Sequence, residues 1–310
     1  MHIVVFGAGG VGGYFGGRLA QAGQSVTFIA RGEHLQAMLS EGLRVDSIKG
    51  DFTVQPVVVT DDPSKVEVAD DILLCVKTWH ITRAAKAIVP MLGSEAFVVP
   101  LENGVDAPAQ LAEILGREHV MGGLCRIASH MVAPGHIQHT GIDPYIAFGE
   151  LDNRSSSRSR NLLQCFEQAG VLAEIPPDIN VAMWQKFLFI SAVSGVGAVT
   201  RVPVGDYRSQ PGTRQMLEGA LQECYSIALA QGIHLPAESV TNTLAYIDTL
   251  SPGTMASMQR DIMDGRPSEL EAQNGAIVQM GRIYNIPTPV HSFIYHSLLP
   301  QESLARSQMD

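Results

Sequence analysis

Apolar residues recur along the chain in two rhythms, and the change from one to the other falls just past its middle. In the first half, short runs of β-branched and aromatic residues predict buried strands at Ile3–Phe6, Ser25–Ala30, Asp71–Val76 and Ala96–Pro100. Helix-like stretches lie between them, one ending at Ala22 before Gly23 and another over Ile81–Leu92. The first strand, helix and second strand make a βαβ unit of about 30 residues. Leu43–Val59, rich in β-branched residues around Lys49-Gly50-Asp51, predicts a hairpin inserted into this parallel pattern. The Ser- and Arg-rich stretch Asp152–Arg160 reads as a surface loop leading into a helix.

Beyond Ile175-Pro176-Pro177-Asp178 the strand signals fade. Two prolines stop a strand there, and Asp178 is suited to cap the helix that begins at Ile179. Helical patterns then run over Ile179–Val199, Thr213–Gln231, Ala237–Thr249, Met255–Met263, Glu269–Tyr284 and Val290–Leu298. The tail from Gln301 to Asp310 is expected to fray. The predicted fold is α/β: residues 1–176 form an N-terminal Rossmann-type doubly wound sheet, and residues 177–310 form a C-terminal all-helical domain.

Composition narrows the function. The chain has 310 residues and a formal charge of −10, a poor match to sequence-independent nucleic-acid binding, which needs a cationic surface. With 45% apolar and 17% charged residues it is not a disordered composition. The four cysteines, none in CxxC, exclude a disulfide scaffold and a thiolate zinc site, and they fit a reducing compartment. The start of the chain shows no signal-peptide pattern. Ile179–Thr200 is long and weakly charged but holds Lys186, Gln185 and Asn180, so it reads as a buried helix rather than a membrane span. A soluble cytoplasmic protein is expected. The sequence leaves the oligomeric state open, a homodimer being one compatible arrangement.

Chemistry enters at Gly7-Ala8-Gly9-Gly10-Val11-Gly12, which matches GxGxxG directly after a strand and at the start of a helix. The first glycine makes the tight turn, the second admits a pyrophosphate to the backbone, and the third lets helix and strand pack closely. The helix N-terminus offers free amides and the positive end of its dipole to phosphates. A site specific for NAD usually has Asp or Glu at the end of the second strand; this strand ends in Arg31, whose guanidinium suits a 2′-phosphate. The expected cofactor is therefore NADPH/NADP. Lys77 and Asn103-Gly104 follow the next two strands, where cofactor or substrate would lie.

In the second half, Lys186 is the single charge between Asp178 and Arg201, set among Trp184, Phe187, Leu188, Phe189 and Ile190. Such a lysine either snorkels outward or, if buried, is a general acid near neutral pH, as carbonyl reduction requires. Further on, Ser268 and Glu271 have capping-box spacing, with Glu269 in the first turn. First-turn acids commonly serve the dipole alone.

Together these segments resemble the ketopantoate reductases (2-dehydropantoate 2-reductases) over nearly the whole chain. The resemblance rests on Gly7–Gly12, Arg31, Cys75-Val76-Lys77-Thr78-Trp79, Leu101-Glu102-Asn103-Gly104, Trp184-Gln185-Lys186, Ser257-Met258-Gln259-Arg260-Asp261 and Glu269. It implies NADPH-dependent reduction of ketopantoate to pantoate, in pantothenate and coenzyme A biosynthesis. It also implies Lys186 as general acid and Glu269 as the carboxylate organising the catalytic site. Lys77 and Asn103 would touch cofactor and substrate, and Ser257 would bind the substrate carboxylate. Three positions depart from the family pattern: Ile190 and Ser194, one and two turns after Lys186, and Thr254 stand where well-studied members carry asparagines that hold substrate. Ser194 is kept among the substrate-binding candidates. Ile190 can make no hydrogen bond, so a more apolar acyl pocket is expected, with carbonyl reduction retained. The alternatives are a reductase of another 2-oxoacid, an enzyme forming an opine-type product, and a non-catalytic NADPH-binding sensor. Retention of Lys186 and Glu269 argues against the sensor. His130, His136 and His139 lack a carboxylate cluster, so no metal site is expected.

Overall fold

The structure, a computed structural model, describes residues 1–308. The chain divides into two compact units: Met1–Glu102 with Asp106–Ala182, and Asn103–Val105 with Met183–Asp310. By compactness the main division falls inside a helix, after Ala182.

The first unit runs β1 (His2–Phe6), α1 (Gly10–Gln21), β2 (Ser25–Ile29), α2 (Gly32–Glu41), β3 (Leu43–Ser47), β4 (Phe52–Val54), β5 (Val58–Thr60), β6 (Ala69–Leu74), α3 (Ile81–Ile88), β7 (Leu92–Pro100), α4 (Ala107–Leu115), β8 (Met121–Ala133), β9 (His136–Glu150), α5 (Ser157–Gln168) and β10 (Leu172–Glu174). Its first sheet is wholly parallel, in the order β5-β2-β1-β6-β7. Strand β1 shows why Ile3–Phe6 are all apolar. Ile3 and Val5 enter one core with Phe15 and Leu19 of α1, while Val4 and Phe6 enter another with Ile81, Ala85 and Leu111 of α3 and α4. A parallel strand covered on both faces has no polar side.

A second five-stranded sheet covers the other side of α1. Four glycines make that sandwich possible. A Cβ on Gly16 would come within 2.6 Å of Val5, and one on Gly13 within 2.8 Å of Ile137. Gly12 and Gly17 are similarly tight against Val5 and Phe52. The helix therefore approaches one sheet through positions 12 and 16 and the other through 13 and 17, the i, i+4 spacing of helix faces.

The expected hairpin forms, but it lies in this second sheet. β3 pairs antiparallel with β4 and parallel with β9, while β5 crosses to the first sheet beside β2. The long antiparallel pair of β8 and β9 is the main addition to the predicted strands.

In the second unit, α6 (Ile179–Thr200) continues the chain into α7 (Val204–Ser209), α8 (Pro211–Ala230), α9 (Ser239–Thr249), α10 (Ser257–Met263), a π-helical turn (Glu271–Gly275), α11 (Ala276–Tyr284) and α12 (Pro289–Ser307). Helix α6 is the one described helix long and apolar enough to cross a membrane. It is buried on every face from Ser191 to Ala198, as expected of a helix apolar all round that forms a core. Buried Glu223 on α8 accepts hydrogen bonds from the amides of Val290 (2.7 Å) and His291 (2.9 Å), satisfying two of the orphan donors that start α12.

Two expectations change here. The tail does not fray through the described residues: α12 continues to Ser307, with Glu302 and Ala305 buried. The reason is also the second correction. The Ser268 amide and hydroxyl are held by the Glu302 carboxylate (3.0 and 2.6 Å), not by Glu271, whose side chain bonds Tyr295 and Gln279 instead. Arg306 completes the lock through Glu302 (2.7 Å) and the Ser268 carbonyl (2.8 Å).

Candidate active site

The parallel register lines up the ends of four strands. Phe6, Ile29, Leu74 and Pro100 are partners in one row across β1, β2, β6 and β7. Sheet hydrogen bonding extends one residue further, from the Gly7 amide to Ile29 (3.1 Å), Cys75 to Phe6 (2.9 Å) and Leu101 to Leu74 (2.9 Å). The strand order reverses between β1 and β6. The glycine loop, Arg31 and Lys77 follow carboxyl ends at this switch point, where open α/β sheets bind ligands.

Each glycine of the loop has a distinct reason to lack a side chain. Gly7 has φ +104°, and a Cβ there would sit 2.7 Å from the Cys75 carbonyl oxygen. Gly12 is closest of all: its Cβ would come within 2.0 Å of the Gly7 carbonyl oxygen. Gly9 differs, since among the described residues no atom beyond its immediate chain neighbours lies within 4 Å of where its Cβ would be. Nothing inside the protein requires glycine at position 9; the open space suits the approach of a phosphate to the backbone. Gly9 is the residue before α1, no side chain caps it, and the first turn holds no acid. The loop therefore keeps free amides and an uncompensated positive dipole end. Ala8 is buried, Gly10 abuts the Ser129 backbone and Val11 is half-buried. These features fit a dinucleotide pyrophosphate.

Arg31 is exposed, and its guanidinium has no hydrogen-bond or ion-pair partner among the described residues. Such a fork is available to a 2′-phosphate. Lys77 is exposed, with its ammonium 5.8 Å from the Trp79 ring centroid. Buried Glu102 accepts from the Val76 amide (3.0 Å), tying the segment after β7 to the one carrying Lys77. Burial pushes the Cys75 thiol well up, so this cysteine beneath the glycine loop stays protonated.

The second unit holds the remaining candidates. Asn103 donates from Nδ2 to Glu269 Oε2 at 3.0 Å, and Glu269 is 6% exposed. Close backbone packing of Gly104 on Ala272 holds the two segments together. Glu269 lies between Ser268, locked by Glu302, and the π-helical turn, a rare conformation common at functional sites. Lys186 is half-buried, with no hydrogen-bond or ion-pair partner among the described residues, so it is neither enclosed in the core nor committed to a surface ion pair. Ile190, one turn on, is half-buried as well. Ser257 opens α10 and is half-buried. On the same helix Gln259 is fully buried and donates to the Val202 carbonyl (2.9 Å), with Gly197 of α6 leaving room for its side chain. Ser194 is the exception. It is 0% exposed, in the stretch of α6 that is buried on every face, so its hydroxyl is closed to solvent in this structure.

Two of the three clustered histidines have identifiable partners. His139 bonds the Ser47 hydroxyl and the Ile142 carbonyl, and His136 bonds Asp46. Among the described residues no group of three His, Cys, Asp or Glu side chains is arranged to hold a metal. Sequence reasoning missed His34, which bonds the glycine loop, and Glu302, which fixes the Glu269 segment.

Residues 3–153 match the family described as ketopantoate reductase PanE/ApbA, and residues 178–302 match its C-terminal domain. The chain belongs to the ketopantoate reductase family. The 2-dehydropantoate 2-reductase of Halobacterium salinarum is 29% identical, covering 94% of this chain and 95% of that protein. An uncharacterised oxidoreductase of Bacillus subtilis, YkpB, is 28% identical over 98% of this chain and 99% of its own length. Among solved structures, a PanE/ApbA family ketopantoate reductase from Ralstonia eutropha superposes with a TM-score of 0.90 at 32% identity, covering 99% of this chain and all of that one. A D-mandelate dehydrogenase solved with NADH and anilino(oxo)acetate has a TM-score of 0.89 at 21% identity and shares the fold. This member of the ketopantoate reductase family is thus an oxidoreductase, with the family's Rossmann-like and helical parts.

Proposed function

We propose that the protein is a cytoplasmic NADPH-dependent 2-oxoacid reductase that converts ketopantoate to pantoate for pantothenate biosynthesis. The observation that carries this reading is the Asn103–Glu269 hydrogen bond, in the same compact unit as an uncommitted Lys186. Glu269, held by the Ser268–Glu302 lock, orients Asn103 toward a substrate, and the Lys186 ammonium donates a proton to the carbonyl oxygen. Bound reduced nicotinamide supplies hydride to the ketone carbon, so C=O becomes CH–OH. Ser257 holds the substrate carboxylate. Gly7–Gly12 hold the pyrophosphate, Arg31 the 2′-phosphate, and Lys77 contributes positive charge to the cofactor site.

A second reading is favoured by Ile190 and Ser194. Ile190 offers no hydrogen bond, and Ser194 is sealed in the core. With Thr254, these changes suit a 2-oxoacid that lacks a hydroxyl on its side chain. NADPH oxidation measured with ketopantoate and with a panel of 2-oxoacids tests both. Ketopantoate giving the highest kcat/KM supports the first reading, and a more apolar 2-oxoacid giving the highest supports the second. NADPH binding without turnover on any of them would overturn the assignment as an enzyme of this class.

A further inference from the structure

His34 makes two hydrogen bonds that join separate parts of the first unit. Its Nδ1 accepts from the Gly135 amide at 2.9 Å, in the turn between β8 and β9. Its Nε2 lies 2.8 Å from the Ala8 carbonyl oxygen, in the glycine loop. An amide can only donate, so Nδ1 is the acceptor and a neutral ring carries its hydrogen on Nε2, donating to Ala8. The ring is half-buried, on the first turn of α2, three residues after Arg31.

Peptide geometry gives these bonds a consequence for the loop. The Ala8–Gly9 peptide is planar and trans, so its carbonyl and its N–H point in opposite directions. Holding the Ala8 carbonyl toward His34 turns the Gly9 amide the other way. Glycine at position 9 would otherwise permit this peptide to rotate at little cost. Among the described residues no atom beyond its chain neighbours fills the space where a Gly9 side chain would be. We infer that His34 is a positioning residue that orients the Ala8–Gly9 peptide, presenting the Gly9 amide to the dinucleotide pyrophosphate. This inference rests on the dinucleotide-binding reading of the loop.

The histidine also differs from Arg31 in what it selects. A pyrophosphate is common to NADPH and NADH, whereas a 2′-phosphate belongs to NADPH alone. Losing the His34 bond therefore weakens both cofactors by the same factor.

The test compares His34→Leu with His34→Gln, whose single amide can accept from Gly135 and donate to Ala8. Dissociation constants for NADPH and NADH are measured by calorimetry on the protein without substrate, and kcat at saturating NADPH is measured alongside. The leucine variant is expected to bind both cofactors about five- to tenfold more weakly, the worth of one hydrogen bond, with kcat nearly unchanged. The glutamine variant is expected to recover most of the affinity. Unchanged affinity in the leucine variant, loss for one cofactor only, or no recovery with glutamine would overturn the inference. Should the leucine variant not fold, nitrogen NMR of the wild-type imidazoles decides: hydrogen on Nε2, with a resonance that shifts on NADPH addition, supports the role, and hydrogen on Nδ1 overturns it. Wild-type protein that binds neither cofactor would instead overturn the dinucleotide-binding reading itself.

Discussion

The glycine loop and the candidate residues of the second unit are written into the chain by opposite means. In the loop, consecutive residues suffice: Gly7 turns the chain, Gly9 leaves space and Gly12 closes the helix on the strand. In the second unit the candidates come from four separated stretches, at Asn103, Lys186, Ser257 and Glu269; a hydrogen bond joins Asn103 to Glu269, and the Ser268–Glu302 bond holds the Glu269 segment. A short motif can encode geometry by itself, because the constraint is steric and local. A dispersed site depends on tertiary packing, which no short window of sequence contains.

Substitutions within the loop should break this contrast most sharply. Gly12→Ala places a methyl group against a backbone oxygen that cannot retreat, with an expected loss of about 3 kcal/mol or more of stability. Gly9→Ala meets no protein atom, so Tm should be unchanged while NADPH binding is lost. Thermal unfolding and calorimetry of the two variants check this; a destabilised Gly9→Ala protein would mean that the open space is not open in solution. Arg31→Ala should come next in size, weakening NADPH by about ten- to a hundredfold, from roughly 1.5–3 kcal/mol for a charged hydrogen bond, and leaving NADH unchanged. Equal losses for both cofactors, measured by titration, would remove Arg31 from the 2′-phosphate site.

A pH-dependent effect lies away from both regions. Burial raises the Asp71 carboxyl on β6 from 3.8 to about 8, so it is largely protonated at neutral pH in the folded protein. Linkage sets the sign. The folded state binds this proton more tightly than the unfolded state, so the stability is complete below about pH 4 and is lost as pH rises toward 8. Asp71→Asn, which imitates the protonated form, should match the wild type in Tm at low pH and exceed it at pH above 8. Parallel Tm curves across that window would show that Asp71 does not titrate as described.

The same contrast explains what could be read from the chain itself. Strands β1, β2, β6 and β7 were legible because each carries a short apolar run that is buried, as at Ile3–Phe6, Phe28–Ile29, Ile72–Leu74 and Ala96–Val99. The β8–β9 pair was not. Gly122, Gly123, Ser129 and His130 interrupt its pattern, and its outer half is exposed, so its strand character comes from pairing rather than from burial. The capping box at Ser268 was misread for a related reason. Glu271 has the right local spacing, but Glu302 competes for the same amide from 34 residues away. Arg31 was legible from its place after a strand; His34 was not, because its meaning depends on a carbonyl 26 residues earlier and an amide 101 residues later.

The central claim is that the loop binds the cofactor while Lys186 supplies the proton, so the two functions should come apart in one variant. In Lys186→Ala, NADPH affinity and turnover on the best 2-oxoacid are measured on the same preparation. The predicted result is an unchanged NADPH dissociation constant with kcat lowered by ~10²–10⁴, the usual cost of removing a general acid. Near-normal turnover, or loss of NADPH binding in step with loss of activity, would contradict it.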